Sequence, residues 1–311
     1  MKKIAFIFPG QGSQAVGMGK DLYEQYESAK KVYETADNAL GYKISDICFN
    51  GPDDVLKQTK NTQPAILTTS LACLEVLKTE LNIAPAATAG HSLGEYGALY
   101  TAGVLTLDEA IKITGKRAEL MNEAAENTCG SMAAVLGLSE DVINEGLSEL
   151  QKEGKISVAN YNCPGQTVIT GEKELIQKSV ELLKSKGAKR VIELAVSGAF
   201  HSELMQEAAV KFADFVKNTE FKNAKISVYE NTDAKPVTDG NDIKQRVSKQ
   251  IYSPVHWTET IQNMINEGIT TFIEIGPGKV LAGLNKKINS EITTYNVYDV
   301  NSLKETLEAL K

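Results

Sequence analysis

The chain has 311 residues, enough for one large domain or two of moderate size. Hydrophobic residues make up 42% of it and charged residues 23%, which is typical of a globular protein rather than a disordered or fibrous chain. With 33 basic and 40 acidic residues the net charge is -7, which excludes a general attraction to nucleic acid or to an anionic membrane. An anionic ligand would therefore need a local positive group in its binding site.

The cysteines and the first residues indicate a cytoplasmic protein. The spacing of the cysteines fits neither a zinc site nor a disulfide framework, and free thiols are typical of a reducing compartment. The four are Cys48, Cys73, Cys129 and Cys163. The apolar run at residues 4–8 is too short for a signal peptide or a membrane span, because Pro9 and Gly10 end it. It predicts a buried first strand instead.

Strand and helix patterns alternate over the first part of the chain. Strands are predicted at residues 4–8 and 86–89, and helices at residues 22–39 and 64–81. A further helix follows Gly90, and another begins near Leu107, where Thr106 can cap it. This alternation predicts an α/β fold with a mostly parallel sheet covered by helices.

The middle of the chain has a different order of elements. Strand, helix, strand, strand, helix and strand are predicted in turn at residues 131–137, 140–152, 156–160, 167–170, 172–186 and 190–196. This βαββαβ order is that of a ferredoxin-like unit. We therefore expect a small subdomain, residues 128–197, inserted into a large α/β subdomain made of residues 1–127 and 198–311. The crevice between them is the expected ligand site.

The first pattern resumes after the small unit. Helices are predicted at residues 201–217, 243–250 and 257–267, and strands at residues 226–229 and 271–275. A turn at residues 276–278 then leads into a last helical segment.

A candidate nucleophile lies at a predicted strand-to-helix turn. The residues from Gly90 to Gly94 fit the pattern G-x-S-x-G, with Ser92 at the centre. In a nucleophile elbow the glycines allow a sharp turn, and the start of the helix supplies N–H groups to an oxyanion. The N–H of Leu93 is then one oxyanion donor, and Gln11, in the turn after the first strand, can supply the second. The alternative is that the glycines only punctuate a turn.

A serine nucleophile needs a base, most often histidine, and the chain has three. His91 adjoins Ser92, so the two side chains should diverge, and His256 lies near a helix start. His201 follows a predicted strand and a loop, where catalytic residues gather. We therefore assign His201 as the base, against the alternative of a histidine that caps or packs at a helix start.

No acid stands where a hydrolase triad has one. An α/β-hydrolase places its acid between the serine and the histidine in the chain. The only aspartates between Ser92 and His201 are Asp108 and Asp141, both at predicted helix starts. A carbonyl group could hold the imidazole in place of a carboxylate.

Arg117 lies on the apolar face of its predicted helix, four residues from both Ile113 and Met121. A guanidinium that faces the interior is costly unless an anion pairs with it, and its planar fork suits a carboxylate. Two interpretations stay open, a clamp for a carboxylate on an acyl substrate and an internal salt bridge.

Five motifs occur in order along the chain, namely residues 8–14 (FPGQGSQ), 90–95 (GHSLGE), 160–166 (NYNCPGQ), 198–202 (GAFHS) and 274–279 (EIGPGK). Together they resemble the malonyl-CoA:acyl carrier protein transacylases, an acyltransferase family of fatty acid and polyketide synthesis. The resemblance implies an α/β-hydrolase-like core with a ferredoxin-like insertion. It also implies an enzyme, an acyl carrier protein S-malonyltransferase.

The resemblance implies roles for single residues. Ser92 would carry the malonyl group, and His201 would act as base and then as acid. Gln250 would hold His201 through its main-chain carbonyl, and the backbone N–H groups of Gln11 and Leu93 would form the oxyanion hole.

Other residues would contact the substrate. Arg117 would clamp the malonyl carboxylate. The bulk of Phe200 before His201 resembles the malonyl-selective form and would leave less room for an α-methyl group, a discrimination of about 1–3 kcal/mol. The remaining expected contacts are His91, Met121, Asn160 and Asn162, although a turn role suits Asn162 equally.

The implied reaction is ping-pong transfer of malonyl from malonyl-CoA to the phosphopantetheine thiol of acyl carrier protein, with no metal or redox cofactor. The alternatives are a serine thioesterase or other hydrolase, a non-catalytic binding protein, and the same transfer in a polyketide pathway. No heptad or exposed apolar stripe indicates a dimer, so we expect a monomer. An acidic carrier protein needs a basic surface, for which the candidates are Lys184, Lys186, Lys189, Arg190, Lys286 and Lys287.

Overall fold

The structure, a computed structural model, describes residues 3–311 and contains two sheets. Their strands are β1 (Lys3–Phe8), β2 (Ala87–Gly90), β3 (Gly130–Leu136), β4 (Ile156–Cys163), β5 (Gln166–Glu172), β6 (Arg190–Glu193), β7 (Ser227–Tyr229), β8 (Pro236–Val237), β9 (Ile269–Ile275) and β10 (Thr293–Val297). The larger sheet has the order β10-β9-β1-β2-β7-β8, and only the β7–β8 pair is antiparallel. Because β1 is central, its apolar run is buried as predicted.

Helices cover the sheets. They are α1 (Lys20–Gln25), α2 (Glu27–Leu40), α3 (Ile44–Asn50), α4 (Asp53–Leu56), α5 (Thr59–Glu80), α6 (Glu95–Thr101), α7 (Leu107–Asn127), α8 (Glu140–Leu150), α9 (Lys173–Ser185), α10 (Gln206–Val216), α11 (Gly240–Gln250), α12 (Trp257–Asn266), α13 (Val280–Ile288) and α14 (Val300–Ala309). Thr106 caps α7 through a capping box with Glu109. Among residues 3–311, no helix combines the length and apolar character that crossing a membrane requires.

The smaller sheet is antiparallel and has the order β4-β5-β3-β6. With α8 after β3 and α9 after β5, this is the βαββαβ unit that the sequence predicts. Its strands alternate between two environments. Ala133 and Ile169 pack with the apolar residues of α8 and α9, whereas Met132 and Val168 join the core of the larger sheet. Both faces of the small sheet are therefore covered by apolar packing. The two sheets and the helices that cover them confirm the α/β class.

We propose that the small subdomain is residues 128–197, because every strand of the antiparallel sheet falls within that range. The large subdomain would comprise the rest of the described chain, residues 3–127 and 198–311. Residues 1–2, which the predicted boundary includes, lie outside the described residues. Edge strand β4 is tied to the loop before α12, since Val255 N–H donates to Ala159 O at 2.8 Å and Tyr161 N–H donates to Val255 O at 2.9 Å. These two bonds bridge the proposed subdomains.

Several predicted elements were wrong in extent, among them the strand expected at residues 190–196, which ends at Glu193, and the helix expected at residues 201–217, which begins at Gln206. The helix expected at residues 22–39 is two helices that meet at Tyr26, whose extended backbone ends the first. The helix expected from residue 64 begins at Thr59, so Pro64 lies inside it and lacks the N–H that would donate to the carbonyl of Lys60. The chain does not end on one helical segment after Gly278, because strand β10 and helix α14 follow α13.

The turn after β9 requires glycine. Gly276 has a φ of 132°, which L side chains rarely adopt, and a Cβ there would lie 2.1 Å from Ser70 Oγ and 2.9 Å from Pro9 Cγ. Its N–H donates to Val297 O at 2.9 Å. The 274–279 motif is thus packed against the 8–14 motif by a contact that leaves no room for a methyl group.

We expect Gly276→Ala to lower the free energy of unfolding by about 1–3 kcal/mol, from backbone strain alone. Urea denaturation measures it. Gly283→Ala is the matched control, because Gly283 lies within α13 with nothing near its missing Cβ. That substitution should raise the free energy of unfolding by roughly 0.4–1 kcal/mol. Equal effects of the two substitutions would contradict this account.

Candidate active site

Loops from several strands meet at the carboxyl edge of the parallel sheet, where ligands bind in open α/β folds. Gln11 follows β1, Ser92 follows β2, and Asn231 follows β7. His201 reaches the same place from the loop after the small sheet. The predicted nucleophile and base therefore follow strands of different sheets, and the packing of the two sheets brings them together.

The turn at Ser92 depends on its flanking glycines. A Cβ on Gly90 would lie 1.9 Å from the carbonyl carbon of Gly94, and one on Gly94 would lie 2.2 Å from the carbonyl oxygen of Phe8. Ser92 itself has a φ of 52°, in the left-handed region that non-glycine residues seldom occupy. The strand turns into the helix within one residue, which leaves the serine side chain at the tip of the turn.

Ser92 and His201 are hydrogen-bonded. The distance between Ser92 Oγ and His201 Nε2 is 2.8 Å. On the other side of the ring, Nδ1 lies 2.9 Å from Gln250 O and 3.0 Å from Ser253 O. Carbonyl oxygens only accept hydrogen bonds, so Nδ1 carries the proton and Nε2 is free to take one from Ser92. Two carbonyls thus occupy the place of the missing acid.

The environment keeps the base neutral. Burial lowers the pKa of His201 to about 3, and the positive charge of Arg117 adds to the effect. The hydrogen bonds to the carbonyls of Gln250 and Ser253 act in the opposite direction. No carboxylate stabilises the imidazolium, so the uncharged form, which is the form that accepts a proton, persists well below neutral pH.

Arg117 points at the nucleophile. It is fully buried, and burial lowers its pKa. One terminal nitrogen donates to Ser92 Oγ at 3.1 Å and to Gln250 Oε1 at 2.8 Å, and the other donates to Gln63 Oε1. Within residues 3–311 it forms no salt bridge, in contrast to the surface pairs of Arg246. The interior therefore holds a positive charge paired only with neutral oxygens.

Two backbone N–H groups of the predicted oxyanion hole have no backbone acceptor among the described residues. Within the described part of the chain, neither Gln11 N nor Leu93 N donates to a carbonyl oxygen. Leu93 follows the nucleophile at the start of a short 3₁₀ turn, Ser92–Gly94, and Gln11 begins the turn after β1. Free N–H groups in this position suit a developing oxyanion.

The other predicted contacts fall into two groups. His91 Nε2 and Asn162 Oδ1 are 2.9 Å apart, a bond that joins the elbow to β4. Asn162 lies inside that strand, so the turn role is wrong for it. Phe200 and Met121 are buried in the core near the serine, and Asn160 is buried in β4 beside Val255.

Three residues of the site were missed from the sequence. They are Gln63, which accepts from Arg117, Ser253, whose carbonyl faces His201, and Asn231, which contacts the elbow. Asn231 directly follows the β7 region, and its place at the carboxyl edge was a usable signal. Gln63 and Ser253 carry no such signal, because their roles depend on how distant elements pack.

Comparison with known proteins identifies the family. Residues 5–302 match the family model described as acyl transferase domain. This chain belongs to that family. A malonyl CoA-acyl carrier protein transacylase of Bacillus subtilis is 47% identical, and the alignment covers 100% of this chain and 98% of the relative. The acyl transferase fold therefore extends over the chain almost from end to end.

Solved acyl transferase structures are similar as well. The malonyl-transacylase of a complex with a type II polyketide synthase acyl carrier protein superposes with a TM-score of 0.96 at 38% identity, covering 99% of each chain. An acyl carrier protein S-malonyltransferase from Vibrio cholerae gives a TM-score of 0.95 at 41% identity, over 98% of this chain and 99% of that one. The two-sheet architecture is thus shared in full.

We expect Ser92 to stay reactive in mild acid. An uncharged sulfonyl fluoride should modify it at a constant rate from neutral pH to about pH 5, rather than halving near the ordinary histidine pKa of about 6.5. A base with a lowered pKa stays competent above that pKa and is lost only as the pH falls through it. Intact-protein mass spectrometry at each pH gives the rate.

In Arg117→Gln the loss of the modification rate at low pH should begin at a higher pH than in the wild type, because one positive charge that opposes the imidazolium is gone. Lys116→Gln is the control, since it removes a charge from the same helix at the surface. A wild-type modification rate that halves near the ordinary histidine pKa would contradict the conclusion that burial lowers the pKa of His201.

Proposed function

We propose that this acyl transferase moves a malonyl group from malonyl-CoA to the phosphopantetheine thiol of an acyl carrier protein, through a malonyl ester on Ser92. The names of its relatives support the substrate and acceptor. The observation that carries the proposal is the guanidinium of Arg117, buried without a carboxylate partner and hydrogen-bonded to the nucleophile. A malonyl group brings the missing carboxylate, a few ångströms from the carbonyl to be attacked.

The first half-reaction acylates the enzyme. Ser92 Oγ attacks the thioester carbonyl while His201 Nε2 takes its proton. The N–H groups of Gln11 and Leu93 stabilise the oxyanion, each by roughly 2.7–4 kcal/mol. When the intermediate collapses, the carbon–sulfur bond breaks and His201 returns the proton to coenzyme A. Gln250 and Ser253 hold the imidazole throughout through their carbonyls.

The second half-reaction reverses the roles. The phosphopantetheine thiol gives its proton to His201, and its sulfur attacks the ester carbonyl. Ser92 leaves and recovers the proton. Every proton is carried by His201, and the coenzyme A thioester is a substrate, so this scheme calls for no cofactor. We propose that a monomer carries out the cycle in the cytoplasm, a reducing compartment that suits its four free cysteines.

Salt bridges reduce the number of basic residues that are available to bind the carrier protein. Lys184 pairs with Glu181, and Lys186 pairs with Glu145 and Glu149, which neutralises both lysines. Four candidates form no salt bridge within residues 3–311, namely Lys189, Arg190, Lys286 and Lys287. Since Lys189 and Arg190 are exposed at the start of β6, we propose that they meet an acidic carrier protein.

We expect brief incubation with malonyl-CoA to add one malonyl group to the wild type and none to Ser92→Ala. Arg117→Ala should lower the rate of malonylation roughly 30-fold or more, because removing one partner of a buried ion pair costs about 2–5 kcal/mol. It should affect acetyl-CoA far less, since acetyl has no carboxylate. Intact-protein mass spectrometry measures both rates.

Arg190→Ala, which removes an exposed arginine, is the control, and malonyl-CoA should malonylate it at the wild-type rate. Release of free malonate without transfer to a thiol would favour a thioesterase instead. Absence of both the adduct and turnover would sink the proposed function.

We expect the double charge reversal Lys189→Glu and Arg190→Glu to raise KM for the carrier protein and leave Ser92 malonylation unchanged. Surface charges at a docking site act mainly on association, so the effect should shrink at high salt. Lys31→Glu is the control, because Lys31 is an exposed lysine of α2 that forms no salt bridge within residues 3–311. An unchanged KM would remove this surface from consideration.

A further inference from the structure

The two peptide groups that flank Ser92 are each held by an amide side chain. Ser92 N–H donates to Asn231 Oδ1 at 2.7 Å, and Gln250 Nε2 donates to Ser92 O at 2.8 Å. Asn231 Nδ2 also donates to Gly90 O at 2.7 Å. The asparagine therefore spans the turn, with one hydrogen bond on either side of His91. Nothing in the G-x-S-x-G pattern itself supplies these contacts.

These contacts act on the torsion that sets the serine. The φ angle is the rotation about the bond between N and Cα, so an acceptor fixed on the N–H restrains it. At 52° this torsion costs Ser92 about 1–3 kcal/mol, and it persists only where the surroundings hold it. The direction of Ser92 Oγ toward His201 follows from the same torsion. A restraint on the N–H is thus a restraint on the nucleophile.

Asn231 is itself held in place by hydrogen bonds to its backbone. It is 1% exposed, its N–H donates to Glu95 Oε2 at 2.8 Å, and its carbonyl accepts from His256 N–H at 3.0 Å. All of its polar groups are therefore used. Its side chain cannot rotate without losing two hydrogen bonds in a dry interior, where an unpaired polar group is costly.

Two buried carboxyl groups lie next to Asn231. Glu95 and Glu230 are both fully buried, and burial raises the pKa of each, with Glu95 raising that of Glu230 further. Within residues 3–311, Glu95 Oε1 and both carboxyl oxygens of Glu230 have no N–H or O–H donor. A raised pKa favours the protonated form of a carboxyl, in which Glu230 can donate a hydrogen bond to Glu95. Glu95 then keeps one oxygen for the N–H of Asn231.

We propose that Asn231 is a positioning residue for acyl transfer, which holds Ser92 in its left-handed conformation through the paired bonds to Ser92 N–H and Gly90 O. The proposal rests on the proposed function, because its effect is on the rate at which Ser92 is malonylated. Asn231 touches neither the acyl group nor the base. Its loss should lower the rate constant of acylation and leave the affinity for malonyl-CoA, which depends on Arg117, nearly unchanged.

The first experiment is single-turnover malonylation of wild type and Asn231→Ala, followed by intact-protein mass spectrometry across malonyl-CoA concentrations. We expect a loss of about 100-fold in the acylation rate constant, as a misplaced reacting group costs. The half-saturating concentration should change less than about threefold. Circular dichroism and the melting temperature show whether each variant is folded.

Asn285→Ala is the matched control. Asn285 is also fully buried and also makes two side-chain hydrogen bonds, to Trp257 and Thr294, but it lies in α13 and its side chain makes no hydrogen bond to residues 90–94. If loss of buried hydrogen bonds acts only through stability, the two variants should lose activity alike. The proposal requires that Asn285→Ala, compared below its melting temperature, keeps the wild-type acylation rate.

A second variant covers the case in which Asn231→Ala does not fold. Protonated Asp at position 231 can accept from Ser92 N–H and donate its O–H to Gly90 O, which replaces both bonds. The ionised form has no donor and faces the carbonyl of Gly90 with a negative charge. Asn231→Asp should therefore acylate at nearly the wild-type rate in mild acid and lose the rate as the pH rises. His201, with a pKa of about 3, remains a competent base over that range.

Other titratable groups lie around position 231 and are common to both proteins, so the wild-type profile is the reference. They are Glu95, Glu230, Asp233, Arg246, Arg117, His91, His201 and His256. Parallel profiles for wild type and Asn231→Asp, or an Asn231→Ala rate within threefold of wild type, overturn the positioning role. Failure of wild type itself to form the adduct overturns the proposed function instead, so the two failures are distinct.

Discussion

The close packing of the nucleophile turn against the central strand constrains everything around it. Gly94 lies so near the backbone of Phe8 that no side chain fits between them. This contact fixes where β2 ends and where α6 begins, and it forces Ser92 into a conformation that is unfavourable by itself. The loops that follow β1, β7 and α11 then surround Ser92, which this contact holds in place. Catalytic geometry here therefore depends on this backbone contact as well as on the side chains that hold the turn.

A second constraint is the charge balance of the interior. Arg117 brings one positive charge into the core, and two buried glutamates, whose pKa values burial raises, lie nearby, with Glu95 close enough to interact with both Arg117 and Glu230. The base contributes none, because burial and Arg117 keep His201 neutral. A malonyl carboxylate adds the anion that Arg117 lacks in its direct contacts. Substrate charge thus completes an electrostatic arrangement that side chains alone leave open.

The sequence predicted the α/β class, the βαββαβ unit and the nucleophile turn because each has a local pattern. Glycine spacing marks Ser92, and period-two alternation marks the small sheet. The final strand and helix were missed, since residues 293–297 have mixed polarity and lie at the sheet edge beside β9. Gln63 was missed for another reason. Glutamine has no periodic signature, and the importance of Gln63 arises only from the arginine that tertiary packing places opposite it.

The backbone bonds between β4 and the loop at Val255 have a mechanical consequence. Strand β4 cannot move away from this loop unless both bonds break. Val255 is also only a few residues from Gln250 and Ser253, the residues whose carbonyls hold the base. One short stretch of chain, residues 250–255, therefore anchors the edge of the small sheet and orients the imidazole, so a shift of β4 would also act on the base.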